Sequence, residues 1–290
     1  MTGRATSAGP HAQALVDMRP AASGAVLAAM EAGTAGSAVA AMDPAVAAAA
    51  VCAMDVSEAQ VVLNAAPKAT RNAILDAMEA DAAGALLSAV SAEDAGDALR
   101  DMDLRTATAA VENMLPGPAA AAMLQLPEER LVEALTGIDP KKAGAPMLEA
   151  LCDTAMGAGA AAAAMTTLAK RHPERAAAHL SAMTGRARKA DADGVPGAGV
   201  AVARLFSQFP LNIQGTLMAR MSAPNAAALC RELGPLKAAR ALSAVTTTAA
   251  EGGGGGSPAF AAAAVEALQS MGGWSPDAEG VPRSEGREST

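Results

Sequence analysis

Large apolar side chains recur every twelve residues through the first half of this 290-residue chain. The Met series, named for its commonest member, consists of Met30, Met42, Met54, Ala66, Met78, Val90, Met102, Met114, Leu126 and Ile138. The Leu series lies three residues earlier in each repeat and consists of Leu27, Val39, Val51, Leu63, Leu75, Leu87, Leu99, Val111, Met123 and Leu135. A fixed period of this kind is typical of repeat proteins, so it constrains the architecture more than any other feature of the chain.

The helix must break once in each repeat. An unbroken α-helix turns about 100° per residue, so twelve residues would rotate each Met-series residue by about 120° from the last. The residue after the Met series is often an acid or a serine, which are typical of helix starts. These residues are Glu31, Asp43, Asp55, Glu79, Ser91, Asp103 and Asp139. Proline, which is tolerated in a first helical turn, lies close to several of the same points. Each repeat is therefore predicted to form a turn, an N-cap and about two turns of helix.

A third repeated position favours close packing between helices. Seven residues before the Met series, the side chain is small in most repeats, at Ala35, Ala47, Ala59, Ala83, Ala95, Ala107 and Ala119. Arg71 and Leu131 depart from this rule. We expect the small residues to let the backbone of a neighbouring helix approach, so that large side chains on one helix meet small surfaces on the next.

The twelve-residue spacing returns near the C-terminus at Phe209, Met221, Leu233 and Val245. Together the two blocks predict an all-α solenoid of short helices, in which each repeat is stabilised mainly by its neighbours. The predicted organisation is a disordered or targeting tail at 1–21, a helical repeat array at 22–189, a linker at 190–199, a second helical repeat block at 200–250, a glycine linker at 251–257, a short helix at 258–271 and a disordered tail at 272–290.

The composition argues against several classes of function. The net charge is −8 and the isoelectric point is near 5.0, whereas a nucleic-acid interface needs a basic face. No uncharged run is long and apolar enough to predict a transmembrane segment. We therefore expect a soluble protein that binds no nucleic acid. Its expected location is the cytoplasm, with an organellar targeting segment at the N-terminus as the alternative.

No set of residues predicts catalysis. The sequence has no glycine-rich phosphate loop after a strand and no nucleophile motif. The three cysteines, Cys52, Cys152 and Cys230, are far apart and odd in number. They are expected to be buried thiols rather than a disulfide framework or a zinc site. We predict that the chain is not an enzyme and has no cofactor, with Mg²⁺ as the one alternative.

The repeat resembles the cytoplasmic N-terminal domain of MgtE-type magnesium transporters, which is related to a domain of the flagellar motor switch protein. The residues that carry the likeness are Leu75–Met78, Ala95–Asp103 and Leu135–Pro140. The resemblance implies a right-handed superhelix of short helices. It also implies regulation by Mg²⁺ in the transporters, where acidic side chains bind cations between this domain and its neighbours. Because those neighbours and the membrane helices have no counterpart here, no ligand residue is carried over.

The sequence leaves two functions open. The first is a non-catalytic scaffold that binds another protein through the extended surface of a solenoid. The alternative is a Mg²⁺ sensor or regulatory domain that acts on a transporter or another partner. Its candidate metal ligands are Asp43, Asp55, Asp103 and Asp139, since hard cations prefer carboxylate oxygens. Helix capping alone would also explain why these acids recur.

Overall fold

The computed structural model describes residues 13–194, 197 and 199–252. It divides into two units, Met1–Leu168 and Ala169–Thr290. The described residues are mostly helical and contain no β-strand. The prediction of an all-α helical repeat is therefore confirmed, while the handedness of the superhelix stays a prediction.

Unit 1 is built from short consecutive helices. The helices that begin in it are α1 (Pro20–Ala29), α2 (Ala32–Ala40), α3 (Pro44–Cys52), α4 (Val56–Ala65), α5 (Lys68–Ala77), α6 (Ala80–Ala89), α7 (Ala92–Asp101), α8 (Leu104–Asn113), α9 (Pro116–Met123), α10 (Glu128–Gly137), α11 (Ala145–Cys152) and α12 (Ala155–Arg171). A π-helical turn, Pro140–Gly144, lies between α10 and α11. The described residues before α1 include a helical segment at 13–16, where Leu15 is buried.

The Met series marks the helix breaks, as predicted. Met78 follows the last residue of α5 and has φ −77° and ψ 156°, in the extended region. Met102 follows α7 with φ −68° and ψ 157°. Extended backbone at these positions ends the helix, and the next helix begins two residues later. All seven acids and serines predicted to begin helices occupy N-cap positions.

The two apolar series form the core of unit 1. Every member of the Leu series is at most 4% exposed. Most of the Met series is also buried, including Met42, Met78, Met102, Met114 and Ile138. Because both series lie on the side of each short helix that faces its neighbours, the twelve-residue period produces one continuous apolar interior within the unit.

Helices in unit 1 pack mainly against the next helix but one, so that α2 lies on α4 and α6 lies on α8. The alanines at the third repeated position are buried, as expected. The closest backbone approach, however, lies one residue later, at glycine. A Cβ atom added to Gly36 would lie 2.6 Å from the carbonyl oxygen of Ala65, and one added to Gly84 would lie 2.8 Å from that of Ala110. Such distances leave no room for a side chain.

Unit 2 combines long and short helices. Its helices are α13 (Pro173–Ala192), α14 (Val200–Ser207), α15 (Leu211–Arg220), α16 (Ala223–Leu233) and α17 (Pro235–Gly252). Phe206 is fully buried, and its ring meets that of Phe209 edge-on at a centroid distance of 5.9 Å. The returning twelve-residue series has Phe209, Met221 and Val245 in this core. Here too α15 packs on α17, the next helix but one.

Several predicted segments cannot be compared with the structure. The glycine linker beyond 252, the short helix at 258–271, the tail at 272–290 and the first twelve residues lie outside the described residues. The interval predicted as a linker, 190–199, falls inside unit 2, and its role stays a prediction. Among the described helices, none has both the length and the apolar character needed to cross a bilayer.

The three cysteines are thiols that are not joined in disulfides. Cys152 and Cys230 are buried as expected, and burial raises the pKa of Cys230 to about 12. Cys52 is exposed, contrary to the expectation, because it ends α3 on the side away from the core. Partial burial, followed by the negative charges of Asp81 and Glu79, raises the pKa of its thiol as well. Both raised values keep the thiols protonated and poorly nucleophilic at neutral pH.

Candidate functional site

The four aspartates proposed as metal ligands are all exposed N-cap residues, and three of them use their carboxylates on the helix that follows. Asp43 accepts a hydrogen bond from the Ala45 amide at 2.9 Å. Asp103 accepts from the amides of Arg105 and Thr106. Asp139 accepts from those of Lys141 and Lys142. These contacts satisfy amides that have no partner within the helix.

The remaining acids of the row behave differently. Asp55 is an N-cap residue without a side-chain capping bond, and the same holds for Glu31 and Glu79. In the part of the chain that the structure describes, no group of three or more His, Cys, Asp or Glu side chains is placed to hold a metal ion. The acids thus follow one another along the repeats without converging, and metal binding by Asp43, Asp55, Asp103 and Asp139 stays a prediction.

A different set of polar side chains joins helices that are distant in sequence. Asp76, Ser88 and Glu112 each lie two residues before the Met series, and each accepts a hydrogen bond from the amide of an N-cap residue 27 positions later. The donors are the amides of Asp103, Leu115 and Asp139, at 3.2, 3.0 and 2.7 Å. We call these three contacts the latches. Each one ties the end of one helix to the start of the third helix after it.

The apolar period does not predict the latches, although the sequence carries a partial signal for them. Two N-cap positions of the array are occupied by proline, Pro67 and Pro127. Proline has no amide hydrogen to donate. The residues 27 positions earlier are Ala40 and Arg100, neither of which has a side-chain acceptor. At these two positions the acceptor is absent together with the donor, although Asn64, which lies 27 residues before Ser91 and has a side-chain acceptor, forms no latch.

Arg130 makes a related contact between helices. Its Nη2 atom donates to the carbonyl oxygens of Met102 at 2.5 Å and Leu99 at 3.3 Å. These carbonyls belong to the last turn of α7 and the residue that follows it, where backbone acceptors lack partners within the helix. The Arg130 side chain is only 19% exposed. Its guanidinium therefore caps the C-terminal end of a helix three repeats earlier, in a partly buried position.

An ion-pair cluster links α5 to α7. The Nζ atom of Lys68 lies 3.3 Å from Asp97 and 3.0 Å from Asp101, and Arg100 pairs with Asp97. Hydrogen bonds with Asp101 and then Asp97 raise the pKa of Lys68, and the bond from Lys68 lowers the pKa of Asp97. Since these side chains are about 40% exposed, the cluster adds little stability and is weakened by salt.

Asp76 has the opposite pKa shift. Burial raises the pKa of its carboxyl group, the hydrogen bond from the Asp103 amide partly offsets that effect, and the negative charge of Asp103 raises it further. The attraction of Arg130 is a smaller, opposing influence. The carboxyl groups of Asp76 and Asp103 therefore interact electrostatically where the end of α5 meets the start of α8.

Comparison with known families supports the resemblance seen in the sequence. Residues 61–148 match the family model of the MgtE intracellular N domain. No significant match was found among curated proteins or among solved structures. The matched segment contains the three latches, the Arg130 contact and the Lys68 cluster, whereas α1–α3 precede it.

Proposed function

We propose that this chain is a non-catalytic helical-repeat module that binds another protein and acts through that partner, as a scaffold or regulator. The observation that carries the proposal is the match of residues 61–148 to the MgtE intracellular N domain. A stack of short helices offers a long side surface whose residues differ from repeat to repeat, which suits protein recognition.

Two exposed apolar side chains are candidates for contact with the partner. Leu115 is 64% exposed and Met156 is 86% exposed, and both belong to unit 1. Leu115 is held in place, because its amide donates to Ser88 and Pro116 starts α9 directly after it. A large apolar side chain on a rigid turn loses little conformational freedom when a partner covers it.

Chemical crosslinking of the full chain in extract from its own cells, followed by mass spectrometry, tests this proposal. The wild-type chain should recover a defined partner, and L115D or M156D should reduce its recovery at least tenfold. Val61, which is 54% exposed, provides the matched control V61D. Far-UV circular dichroism should show that all three variants remain folded. Equal recovery by wild type, both test variants and the control would contradict the assignment of these side chains, and recovery of no partner would contradict the proposed function itself.

Mg²⁺ sensing is the second candidate, and one specific pair of residues supports it. Mg²⁺ sites often use only one or two carboxylates and keep several water ligands. Asp76 and Asp103 supply two carboxyl groups that influence each other and lie at one junction of helices. A bound divalent cation would remove their repulsion, so binding would stabilise the folded state.

Thermal melts of the full chain would decide between the two candidates. The samples should contain EDTA, MgCl₂, or KCl at the ionic strength of the MgCl₂ sample. Under the sensing hypothesis, Mg²⁺ should raise the Tm above that in KCl, and D76N should remove the difference. Identical melts in MgCl₂ and KCl would rule out sensing through this pair and leave protein binding as the proposal.

A further inference from the structure

Arg71 stands at a repeat position where seven other repeats have alanine, and where those alanines are at most 5% exposed. It lies in α5 and is itself partly buried. A long, permanently charged side chain thus replaces a methyl group at a packed position. Neither the capping contacts nor the latches use this residue.

The side chain lines a small cavity between four consecutive helices. Its polar lining consists of Gln60 and Asn64 from α4, Arg71 from α5 and Asp94 from α7, and leucines of α4–α6 form much of the apolar wall. The cavity volume is about 20 Å³, counted as the space that the centre of a water molecule can occupy. That is enough for a water molecule or for the small end of a side chain, and the cavity is partly open to solvent.

The guanidinium of Arg71 lacks a hydrogen-bond acceptor in this cavity. Its Nε atom is buried and has no hydrogen-bond partner among the described residues. The nearby cations Lys68, Arg100 and Arg130, in contrast, all pair with carboxylates. A buried donor on a charged group is costly to leave unsatisfied, so an acceptor that reached Arg71 from outside the chain would relieve that cost.

We propose that this cavity binds the carboxylate of an Asp or Glu side chain of the partner protein, with Arg71 as its anchor. The inference rests on the proposed protein-binding function. A carboxylate matches the planar fork of a guanidinium and is among the smallest anionic groups that a protein side chain carries. A phosphate is larger and more highly charged, so the carboxylate of Asp94, which also lines the cavity, would repel it more strongly. Gln60 and Asn64 carry amide groups that donate hydrogen bonds to the same acceptor.

Asp94 provides a second test of the proposal, because the proposal predicts whether anion affinity rises or falls when its charge is removed. One of its carboxylate oxygens accepts a hydrogen bond from the Ser91 hydroxyl at 2.8 Å, which holds the side chain at the start of α7. Its negative charge disfavours an anion in the cavity. Neutralising Asp94 should therefore strengthen anion binding, whereas removing the positive charge of Arg71 should abolish it.

The first test is a titration of the full chain with sodium acetate as the carboxylate probe, observed by NMR through the arginine Nε–Hε signals. The signal lost in R71K identifies Arg71. It should shift saturably with acetate and not with sodium chloride at equal ionic strength. The Arg130 signal is the internal reference, because that guanidinium already donates to two carbonyl groups. Equal shifts at Arg71 and Arg130, or equal shifts in acetate and chloride, would indicate an adventitious ion only and would overturn the site.

Two variants complete the test. D94N should increase the affinity for acetate about threefold or more. R71A restores the alanine found in the other repeats, so it should fold, and the side-chain amide signals of Gln60 and Asn64 should no longer respond to acetate. A response that persists in R71A, or an affinity that D94N leaves unchanged or lowers, would contradict the proposal. Crosslinking that recovers a partner while acetate fails to bind would remove this site alone, and the proposed function would stand.

Discussion

The helices α1–α4 and α5–α10 have the same apolar period but differ in how neighbouring helices are joined. Residues 20–67 contain four acidic residues and no lysine or arginine. Among the described side chains of α1–α4, none forms a hydrogen bond with a residue more than eight positions away. In α5–α10, the latches, Arg130 and the Lys68 cluster join helices that lie two or three repeats apart.

This difference separates two roles in the repeat. Leu27 in the first region and Leu99 in the second are both at most 1% exposed, so the apolar interior is equally well buried in both regions. The Leu and Met series therefore suffice to form the stack, whereas the polar contacts fix the relative position of particular helices. They occur within residues 61–148, the segment that matches the MgtE intracellular N domain.

The largest expected effect tests whether the two interiors are equivalent. Leu27→Ala and Leu99→Ala each remove a buried leucine side chain, so each should lower the free energy of unfolding by about 2–5 kcal/mol. Urea denaturation of the full chain, followed by far-UV circular dichroism, measures both. If Leu27→Ala lowered the free energy of unfolding by less than a third as much as Leu99→Ala, the charge-poor region would be less stable than the rest, and the two interiors would not be equivalent.

A second experiment tests close packing inside α2, where two glycines have different surroundings. At Gly36, an added Cβ atom would meet the backbone of Ala65 at 2.6 Å, so Gly36→Ala should destabilise the protein by about 1–3 kcal/mol. At Gly33, an added Cβ atom would meet nothing within 4 Å. Gly33→Ala should therefore stabilise the protein by up to about 1 kcal/mol through helix propensity. Effects of the same sign in the two variants would contradict the close approach.

The latches can be removed from one region and introduced into the other. Ser88→Ala should cost about 0.5–1.5 kcal/mol, because the Leu115 amide loses its acceptor. Ala28 occupies the same repeat position, 27 residues before Asp55. Ala28→Ser should therefore create a new latch and raise the free energy of unfolding by about 0.5 kcal/mol.

Ala40 provides a control for the increase in the free energy of unfolding expected from Ala28→Ser. Ala40 is equivalent to Ala28, but the residue 27 positions later is Pro67, which has no amide hydrogen. Ala40→Ser should leave the urea midpoint unchanged or lower it slightly. A gain of equal size at Ala28 and Ala40 would show that serine acts locally on its own helix rather than as a latch.

The smallest effect concerns the Lys68 cluster. The hydrogen bond from Lys68 lowers the pKa of Asp97 below its ordinary value of 3.8. The stability from this pair is therefore fully present above about pH 4 and is lost as the pH falls through the folded-state pKa. Lys68→Met should lower the Tm by about 1–2 °C at neutral pH and low salt, and by less in 1 M NaCl. A Tm difference from wild type that persists below pH 3 would show that Lys68 acts through packing instead.

The sequence predicts the helix boundaries well because they depend on local chemistry. The period places each break, and N-cap residues mark each start. Capping itself was predicted less well. Glu31 and Glu79 make no capping bond, because a glutamate side chain is longer than those that cap well. Nothing in the structure explains why Asp55 makes none.

The contacts between distant repeats were not predicted, and the reason is geometric. A latch requires knowing that the end of one helix meets the start of the third helix after it, which the period alone does not state. The same limit applies to the candidate site. Arg71 was visible as an exception to a repeat rule, but its cavity is formed by Gln60, Asn64 and Asp94 from two other helices.

The 27-residue reach of the latches has a consequence for how such a chain can change its length. Deleting or duplicating one twelve-residue unit between Asp76 and Asp103 keeps the apolar register and also puts another N-cap amide, that of Leu115 or Ser91, 27 residues after Asp76. Deleting one unit between Ser88 and Leu115 would instead put Pro127 at that distance from Ser88, and proline has no amide hydrogen to donate. Gain or loss of a repeat should therefore keep a latch unless proline takes the N-cap position.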